Sequence, residues 1–323
     1  MYEEVFLEDE ILLRATLHDL LKDLSSGLAQ DIERVLSAPG KILSQDIAVD
    51  SHRIPRAIWA LLALHIARYC QPQGDQGQAV RVALSLECLM TALDCLDDVE
   101  DTDDTFLRRS LSDARLCNVS TALLSLSHSL ILSLPSTLLQ QFLLFTHEHL
   151  LEAIQGQHQD LISENEPLAT YSAEQALAIA HQKSGSLLSL VCHVSALAFQ
   201  VPLLAESFAQ LGELIGVAFQ LDNDMRDYQN PEKSDVERGK KTYVAVLAAQ
   251  RLDELKKQSS FADREQGELR SLAIEHATRA TYGVTLYYRH QALSVMGEIE
   301  QQHGAPFPET LRSLCGLDDP TIP

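Results

Sequence analysis

The sequence predicts an all-α protein that folds as a single helical-bundle domain over residues 1–323. Apolar residues recur at three- and four-residue spacing along most of the chain, which is the period of one helix face. Glycine and proline are infrequent, with 14 and 11 residues, and the long alternating patterns typical of strands are absent. In a bundle of this kind, side chains from facing helices hold ligands in the core.

Three segments are predicted as loops, because polar residues, glycine or proline interrupt the apolar pattern there. They are Gln71–Gln78, Ser163–Tyr171 and Asn230–Lys241. After the second loop, Ser172 and Gln175 have the spacing of a capping box, which predicts that a helix begins there. No fixed-period repeat or flexible linker divides the chain, which favours one domain.

Two apolar stretches, Val119–Phe145 and Ser186–Leu221, are the parts of the chain most similar to membrane spans. Pro135 interrupts the first stretch, and several polar residues and a proline interrupt the second, so neither offers about 20 consecutive apolar residues. We therefore expect buried core helices and no integral membrane segment. The interruptions of the second stretch are Gln200, Pro202, Glu206 and Glu213.

The charge balance and the cysteines limit the expected partners and compartment. The chain has 46 acidic and 25 basic residues, a formal charge of −21, whereas nucleic-acid binding requires a basic face. Its six cysteines include no Cys-x-x-Cys pair, and the acidic N-terminus lacks the order of a secretory signal. We expect a cytoplasmic protein with free thiols, without a nucleic-acid partner.

Carboxylates are concentrated at the end of an apolar helical run, in the stretch Met90–Asp104. In a helix, Asp97 and Asp101 lie on one face, with Asp98 beside them. The C-terminus of a helix carries partial negative charge, so clustered anions there are unfavourable unless a cation compensates them. Mg²⁺ is such a cation, since it binds carboxylates and shares its remaining positions with water and substrate phosphates. The alternative is a solvated acidic helix face without a ligand.

A second apolar run, Leu211–Asp227, ends in a similar group of side chains: Asn223, Asp224 and Asp227. Asp224 and Asp227 share a helix face at three-residue spacing. Two helices of this kind suit the departure of diphosphate from an allylic carbon. Metal ions bound to both clusters neutralise the leaving group, and apolar walls keep water away from the carbocation.

With these motifs the sequence resembles the trans-isoprenyl diphosphate synthases, also called the polyprenyl synthetases. The motifs follow the family's order over roughly two thirds of the chain, which is more specific than either acidic motif alone. They are the aspartate motif at Asp97, Asp98 and Asp101, the pair Arg108 and Arg109, GQHQDL (Gly156–Leu161), KSGSL (Lys183–Leu187), FQLDNDMRD (Phe219–Asp227) and GKKT (Gly239–Thr242).

The resemblance implies an isoprenoid-synthase helical bundle with a central cavity, a homodimer, and Mg²⁺ as cofactor, with three ions and the substrate diphosphate. It implies catalytic metal ligands at Asp97, Asp98, Asp101 and Asp224, with Asn223 and Asp227 completing the metal set. It assigns diphosphate binding to Arg108, Arg109, Lys183, Gln220 and Lys240. It places Ala92, Gln157 and Phe219 in the substrate pocket.

The departures from the family pattern lie where chain-elongating members bind isopentenyl diphosphate. Their Gly-Gly-Lys-Arg-x-Arg-Pro-like segment corresponds to Asp50–Leu62, where Arg53 keeps its place while His52 and Pro55 replace a lysine and an arginine. The histidine that such members carry seven residues before the first aspartate is Met90 here. Each lost cationic donor forfeits a hydrogen bond worth about 1.5–3 kcal/mol, which predicts weak binding of isopentenyl diphosphate.

The sequence therefore favours a class I terpene synthase, a lyase that ionises a C15–C25 prenyl diphosphate and cyclises or quenches the cation. Ala92, a small residue five positions before the first aspartate, favours C20 or longer substrates. The alternative is a prenyl diphosphate synthase or a transferase to another acceptor, such as the quorum-peptide prenyltransferases. Ala38–Gln45 does contain a Gly-Lys pair, although no Arg-x-Arg-Pro follows it. The third hypothesis is a non-catalytic subunit of a heteromeric synthase.

Overall fold

The computed structural model describes residues 2–44, 57–102, 105–199, 202–229, 239–257 and 266–318. Within these ranges the regular structure is helical and includes no strand, which confirms the predicted all-α class. The α-helices are α1 (Tyr2–Leu21), α2 (Ser26–Leu36), α3 (Ile58–Cys70), α4 (Gln76–Glu100), α5 (Phe106–Ser110), α6 (Asp113–Ile131), α7 (Ser136–Ser163), α8 (Ala173–Ala180), α9 (Ser186–Leu197), α10 (Pro202–Gln229), α11 (Tyr243–Lys257), α12 (Gln266–His303) and α13 (Glu309–Leu314).

The chain divides into two compact units. Unit 1 comprises Met1–Phe145, Val191–Glu206 and Glu300–Asp318, and unit 2 comprises Thr146–Leu190, Ser207–Ile299 and Asp319–Pro323. Both units combine segments that are distant in sequence, so neither corresponds to one half of the chain. The single domain over residues 1–323 stays a prediction.

Helix α4 is the most buried long helix of unit 1 and carries the first acidic motif at its end. The side chain of Asp75 caps it by accepting a hydrogen bond from the N–H of Gln78 at 3.1 Å. Nearly every side chain from Ala79 to Ala92 is buried, because α4 packs against α1, α3 and α6. The apolar run is therefore hydrophobic on all sides rather than on one face.

In unit 2, α10 crosses the segment between α8 and α9, and the first turn of α9, at very short range. A Cβ atom added at Gly216 would lie 2.5 Å from the carbonyl oxygen of Ser184, and one at Gly212 would lie 2.4 Å from that of Leu188. Glycine permits this approach because it lacks a Cβ atom. Beside the crossing, buried side chains form a core cluster of Ala180, Val217, Ala218, Leu221 and Tyr288.

Some of the interruptions predicted from the sequence coincide with observed helix ends, whereas Glu206 and Glu213 lie within α10. Pro135 lies between α6 and α7, and Ser172 with Gln175 forms the predicted capping box at the start of α8. The loop after Ser163 includes a short 3₁₀-helix, Leu168–Thr170. Of the third predicted loop, residues 230–238 lie outside the described ranges.

The two apolar stretches are divided among separate helices, as expected. No helix within the described residues is both long and apolar enough to cross a bilayer. The six cysteines are free thiols, and all of them except Cys117 are buried.

Candidate functional site

The first acidic motif lies where α4 ends. Asp97 and Asp98 occupy its last turn and are partly exposed, whereas Asp101 follows the helix and is only 4% exposed. The hydroxyl of Thr105 donates to a carboxylate oxygen of Asp98 at 2.7 Å. Thr105 also caps α5, because its side chain accepts a hydrogen bond from the N–H of Arg108. The motif is thus tied to the helix that carries the arginine pair.

A cavity of about 290 Å³ opens beside this motif within unit 1. Its walls come from residues 38–41 after α2, from the end of α4, and from residues 105–107 at the start of α5. Asp94, Asp97 and Asp98 supply the acidic lining, and Lys41 supplies a cation. The predicted pocket residue Ala92 is fully buried in α4 and is absent from the described lining of this cavity.

Lys41 is a site residue that the sequence interpretation did not assign. Its ammonium forms an ion pair with Asp94, and the lysine side chain is only 14% exposed. Burial lowers the pKa of Lys41, but the carboxylates of Asp94 and Glu87 outweigh burial and raise it above that of an ordinary lysine. The sequence feature that could have indicated this role is the Gly40–Lys41 pair after α2. The partner of Lys41, Asp94, lies 53 residues further along the chain.

Glu87 and Met90 lie deeper along the same helix, and each is 1% exposed. One carboxylate oxygen of Glu87 accepts a hydrogen bond from the N–H of Ala60 at 3.2 Å, while the other has no hydrogen-bond partner. Burial raises the pKa of Glu87 to about 7, although the nearby Lys41 charge and the Ala60 N–H oppose the rise. The residues compared with the isopentenyl diphosphate segment, His52, Arg53 and Pro55, lie outside the described ranges.

Of the arginine pair on α5, Arg108 is fixed by an acidic neighbour. Its guanidinium donates two hydrogen bonds to the carboxylate of Asp113, at 2.9 and 3.2 Å. The hydrogen bonds from Arg108 hold the pKa of Asp113 below its usual value. Arg109 is adjacent on the same five-residue helix, so both guanidinium groups follow the acidic motif closely.

In unit 2, the predicted diphosphate ligand Lys183 lies in an irregular turn. Residues His181–Gly185 form one turn of π-helix between α8 and α9. The ammonium of Lys183 is 3.7 Å from the carboxylate of Asp160, which belongs to the GQHQDL motif. Gly156 of the same motif lies against the turn, since a Cβ there would be 2.8 Å from the backbone nitrogen of Lys183. Gln157 next to it is partly buried.

The second acidic motif lies in the last turns of α10, and its members are bonded in two pairs. The amide of Gln220 donates to Asp224 at 2.7 Å, and Asp224 is buried. The amide of exposed Asn223 donates to Asp227 at 3.3 Å. Gln220 also accepts a hydrogen bond from the hydroxyl of Ser184, which connects this motif to the π-helical turn. Phe219, the predicted pocket residue, is partly buried.

The trailing GKKT motif is described from Gly239 onward. Gly239 has a φ of +74°, a conformation that favours glycine. Lys240 is partly exposed, whereas Lys241 is 4% exposed and its ammonium donates to the carbonyl of Gly239. Thr242 caps the start of α11, since its side chain accepts a hydrogen bond from the N–H of Ala245. Of the two lysines, Lys240 is the more exposed.

The donor set suits Mg²⁺, although the described residues do not form a closed metal cage. Among them, no group of three His, Cys, Asp or Glu side chains is arranged to hold a metal ion alone. Mg²⁺ does not require one, because it commonly binds one or two carboxylates together with substrate phosphates. Asp97 and Asp98 at the cavity, and Asp224 and Asp227 on α10, offer such carboxylates.

Comparisons with known proteins agree with these motifs. The family model described as polyprenyl synthetase matches residues 55–272. A curated relative, the tryptophan prenyltransferase ComQ of Bacillus spizizenii, is 27% identical over 193 residues, 59% of this chain and 66% of that protein. The match thus spans just under two thirds of the relative's length.

Solved structures share the fold at low sequence identity. A decaprenyl diphosphate synthase from Rhodobacter capsulatus has a TM-score of 0.74 and 17% identity, covering 98% of this chain and 96% of that one. A polyprenyl synthase from Caulobacter crescentus, solved with calcium and isoprenyl diphosphate, has a TM-score of 0.67 and 19% identity, covering 96% of both chains. A polyprenyl synthetase from Streptomyces coelicolor has a TM-score of 0.69 and 19% identity, also covering 96% of both.

Proposed function

The chain belongs to the polyprenyl synthetase family, and on that premise we propose that it is a prenyltransferase that uses an allylic diphosphate and an acceptor other than isopentenyl diphosphate. The acceptor class we propose is the indole of a tryptophan, the acceptor named for the curated relative. Members of the family are generally magnesium-dependent, and we propose that this chain is as well.

The observation that carries the proposal is the ion pair between Lys41 and Asp94 in the cavity of unit 1. To bind there, a second diphosphate would have to displace Asp94 from the mostly buried ammonium of Lys41. Here the lysine among the described lining residues is paired with Asp94, while Asp97 and Asp98 are assigned to Mg²⁺. Buried Met90 adds no donor where chain-elongating members carry histidine. An uncharged acceptor avoids the repulsion that a second diphosphate meets.

In the proposed reaction, the bond between the allylic carbon and the diphosphate oxygen breaks, and its electron pair leaves with the diphosphate. The indole ring supplies the electron pair of the new carbon–carbon bond, and the proton displaced from the ring passes to the released diphosphate. When bound, Mg²⁺ neutralises the charge that develops on the leaving group.

The chain's own side chains would bind and orient the substrate. Asp97, Asp98, Asp101 and Asp224, with Asn223 and Asp227, would hold the metal, and Arg108, Arg109, Lys183, Gln220 and Lys240 would bind diphosphate. Ala92, Gln157 and Phe219 remain proposed for the prenyl pocket. Three metal ions, a homodimer, a cytoplasmic location and a single domain belong to the same proposal.

The comparisons favour a transferase over the terpene synthase that the sequence alone favoured. The matched proteins are described as prenyl diphosphate synthases or as a prenyltransferase. Cyclisation of a C15–C25 substrate without an acceptor is therefore an outcome to be tested rather than the proposed function. The same holds for the lyase assignment and for the preference for C20 or longer chains.

The test incubates the purified protein with Mg²⁺ and geranyl, farnesyl or geranylgeranyl diphosphate. Each is supplied alone, with isopentenyl diphosphate, or with a short peptide that contains one tryptophan, and mass spectrometry identifies the products. Prenylation of this peptide, but not of a matched peptide with phenylalanine at that position, supports the proposal. Longer diphosphates would reassign the chain to elongation, and hydrocarbons or alcohols without an acceptor would reassign it to the terpene synthases. Absence of any product would favour the non-catalytic subunit.

A further inference from the structure

His181 joins two helices of unit 2 to the π-helical turn. Its Nδ1 lies 2.8 Å from a carboxylate oxygen of Glu213 on α10, and its Nε2 lies 2.6 Å from the hydroxyl of Tyr288 on α12. Glu213 and Tyr288 are 32 and 107 positions from His181 in sequence, so no local sequence motif predicts these contacts. They lie outside every motif assigned to substrate or metal.

The direction of these hydrogen bonds follows from the chemistry of the groups. Tyr288 is 8% exposed, and burial raises the pKa of its hydroxyl, which therefore keeps its proton and donates to Nε2 of His181. The Nδ1–H of His181 then donates to Glu213. This hydrogen bond lowers the pKa of Glu213, which stays a carboxylate. His181 is thus held from both sides in one ring orientation.

The turn that His181 begins has a geometry that requires support. The N–H of Ser186 donates to the carbonyl of His181, five residues back, which is the hydrogen bond of a π-helix. Such turns are rare and are frequent at functional sites. Lys183 lies in the middle of this turn, two residues after His181, and so takes its position from it.

The turn is also confined between two helices. A Cβ added at Gly156 of α7 would lie 2.8 Å from the backbone nitrogen of Lys183. A Cβ added at Gly216 of α10 would lie 2.5 Å from the carbonyl oxygen of Ser184. These contacts restrict where the turn lies. Glycine has no side chain that could form a directional hydrogen bond, so these contacts do not fix the rotation of the turn. The two hydrogen bonds of His181 are directional and provide that restraint.

We propose that Glu213, His181 and Tyr288 form a positioning triad, which fixes the π-helical turn and thereby holds the ammonium of Lys183 where diphosphate binds. This inference rests on the diphosphate role of Lys183 in the proposed function, but not on the identity of the acceptor. In this proposal the triad members are positioning residues, and they act on diphosphate binding through Lys183.

The test is a double-mutant cycle between Tyr288→Phe and Lys183→Ala, read out as the Kd of inorganic diphosphate in the presence of Mg²⁺ by titration calorimetry. We expect Lys183→Ala to raise the Kd about tenfold, the effect of one charge-assisted hydrogen bond. Tyr288→Phe, which keeps the ring and removes the hydroxyl, is expected to raise it about threefold, within the range of coupling between contacting residues. In the Lys183→Ala background, Tyr288→Phe is expected to have no further effect.

The matched control is Tyr287→Phe, since Tyr287 is adjacent to Tyr288 but 59% exposed. Glu213→Gln retains a hydrogen-bond acceptor for His181 and is expected to stay within about twofold of the wild-type Kd, whereas Glu213→Ala is expected to match Tyr288→Phe. Unfolding temperatures identify any variant that loses its fold.

An effect of Tyr288→Phe that is equally large with and without Lys183 would overturn the triad, because it would show a general structural role. An unchanged Kd in Lys183→Ala would overturn both the triad and the diphosphate role of Lys183. Failure of the tryptophan peptide to react leaves this cycle unaffected, because diphosphate binding involves no acceptor.

Discussion

Glu87 is a carboxyl group that the fold keeps out of water, with one oxygen bonded to the N–H of Ala60 and the other without a hydrogen-bond partner. Burial raises its pKa from 4.5 to about 7, so folding favours the protonated form. Its contribution to stability is therefore fully favourable below pH 4.5 and is lost as the pH rises through about 7. A shift of this size corresponds to a penalty on the order of 3 kcal/mol at high pH.

We accordingly predict that Glu87→Gln stabilises the protein at pH 8 by on the order of 3 kcal/mol and changes little at pH 5. Glutamine keeps an acceptor for the N–H of Ala60 and carries no charge. Urea unfolding at both pH values measures the difference, and Glu275→Gln on the exposed face of α12 is the control. A stabilisation of equal size at the two pH values would contradict the assigned pKa.

The ion pair in the cavity gives a second prediction for single residues. Asp94→Asn removes the charge that compensates Lys41 and leaves a mostly buried ammonium available to an anion. We expect the Kd of isopentenyl diphosphate, measured by calorimetry without Mg²⁺, to fall about tenfold, the value of one charge-assisted hydrogen bond. Asp19→Asn, which breaks a solvent-exposed Asp–Lys pair, is the control. An unchanged Kd would mean that Asp94 does not govern the charge of the pocket.

What the sequence predicts about these residues depends on how local their contacts are. The positions of Asp97, Asp98 and Asp101 at a helix end follow from spacing within one helix. The partnership of Lys41 with Asp94 spans 53 residues and depends on where the segment after α2 lies beside α4, which no spacing rule supplies.

Among the elements of the fold, the capping box at Ser172 was predictable because its two hydrogen bonds link residues three positions apart. The π-helical turn at His181–Gly185 was not, since its amino acids also suit an ordinary α-helix. The turn is held by tertiary contacts from α7, α10 and α12. Local propensity therefore gave the helices, but not the irregularity that positions Lys183.

The close crossing of α10 over that turn predicts a strong asymmetry between glycines. Gly216→Ala places a methyl group 2.5 Å from the carbonyl oxygen of Ser184, so the helices must separate, at a cost of about 1–3 kcal/mol or more. Gly283→Ala on α12, where the added methyl group meets nothing within 4 Å beyond the backbone of its own helix, should instead stabilise the protein by about 0.8–1 kcal/mol. Urea denaturation of both variants tests this, and equal effects would contradict the described crossing.

For the whole molecule, the bundle class and the order of the motifs were predictable because helical periodicity and short motifs depend only on residues that are close together in the sequence. The acceptor was not, because it depends on the net charge of a cavity assembled from separate segments. The segment compared with the isopentenyl diphosphate site, including Arg53, lies outside the described residues, so its assignment stays a prediction. The comparisons therefore shifted the proposed function from cyclisation towards transfer, and the paired Lys41 argues only against isopentenyl diphosphate as the acceptor.

The net charge of −21 predicts that salt stabilises the whole molecule. Like charges on a compact chain repel one another, and added ions screen this repulsion, with a Debye length of about 10 Å at 0.1 M. We expect the unfolding temperature at pH 7 to rise by about 2–4 °C or more between 10 and 300 mM NaCl, since about 1 kcal/mol shifts a large domain by that amount. Differential scanning calorimetry measures the shift, and KCl should give the same result because screening depends on ionic strength alone.

A lower pH provides the internal control for this prediction. Bound protons reduce the negative charge of the chain, which is −21 at pH 7. The salt-dependent rise should therefore be smaller at pH 5.5 than at pH 7, because less repulsion remains to be screened. A rise that is as large at pH 5.5, or that differs between NaCl and KCl, would point to specific ion binding instead of repulsion between the carboxylates of the chain.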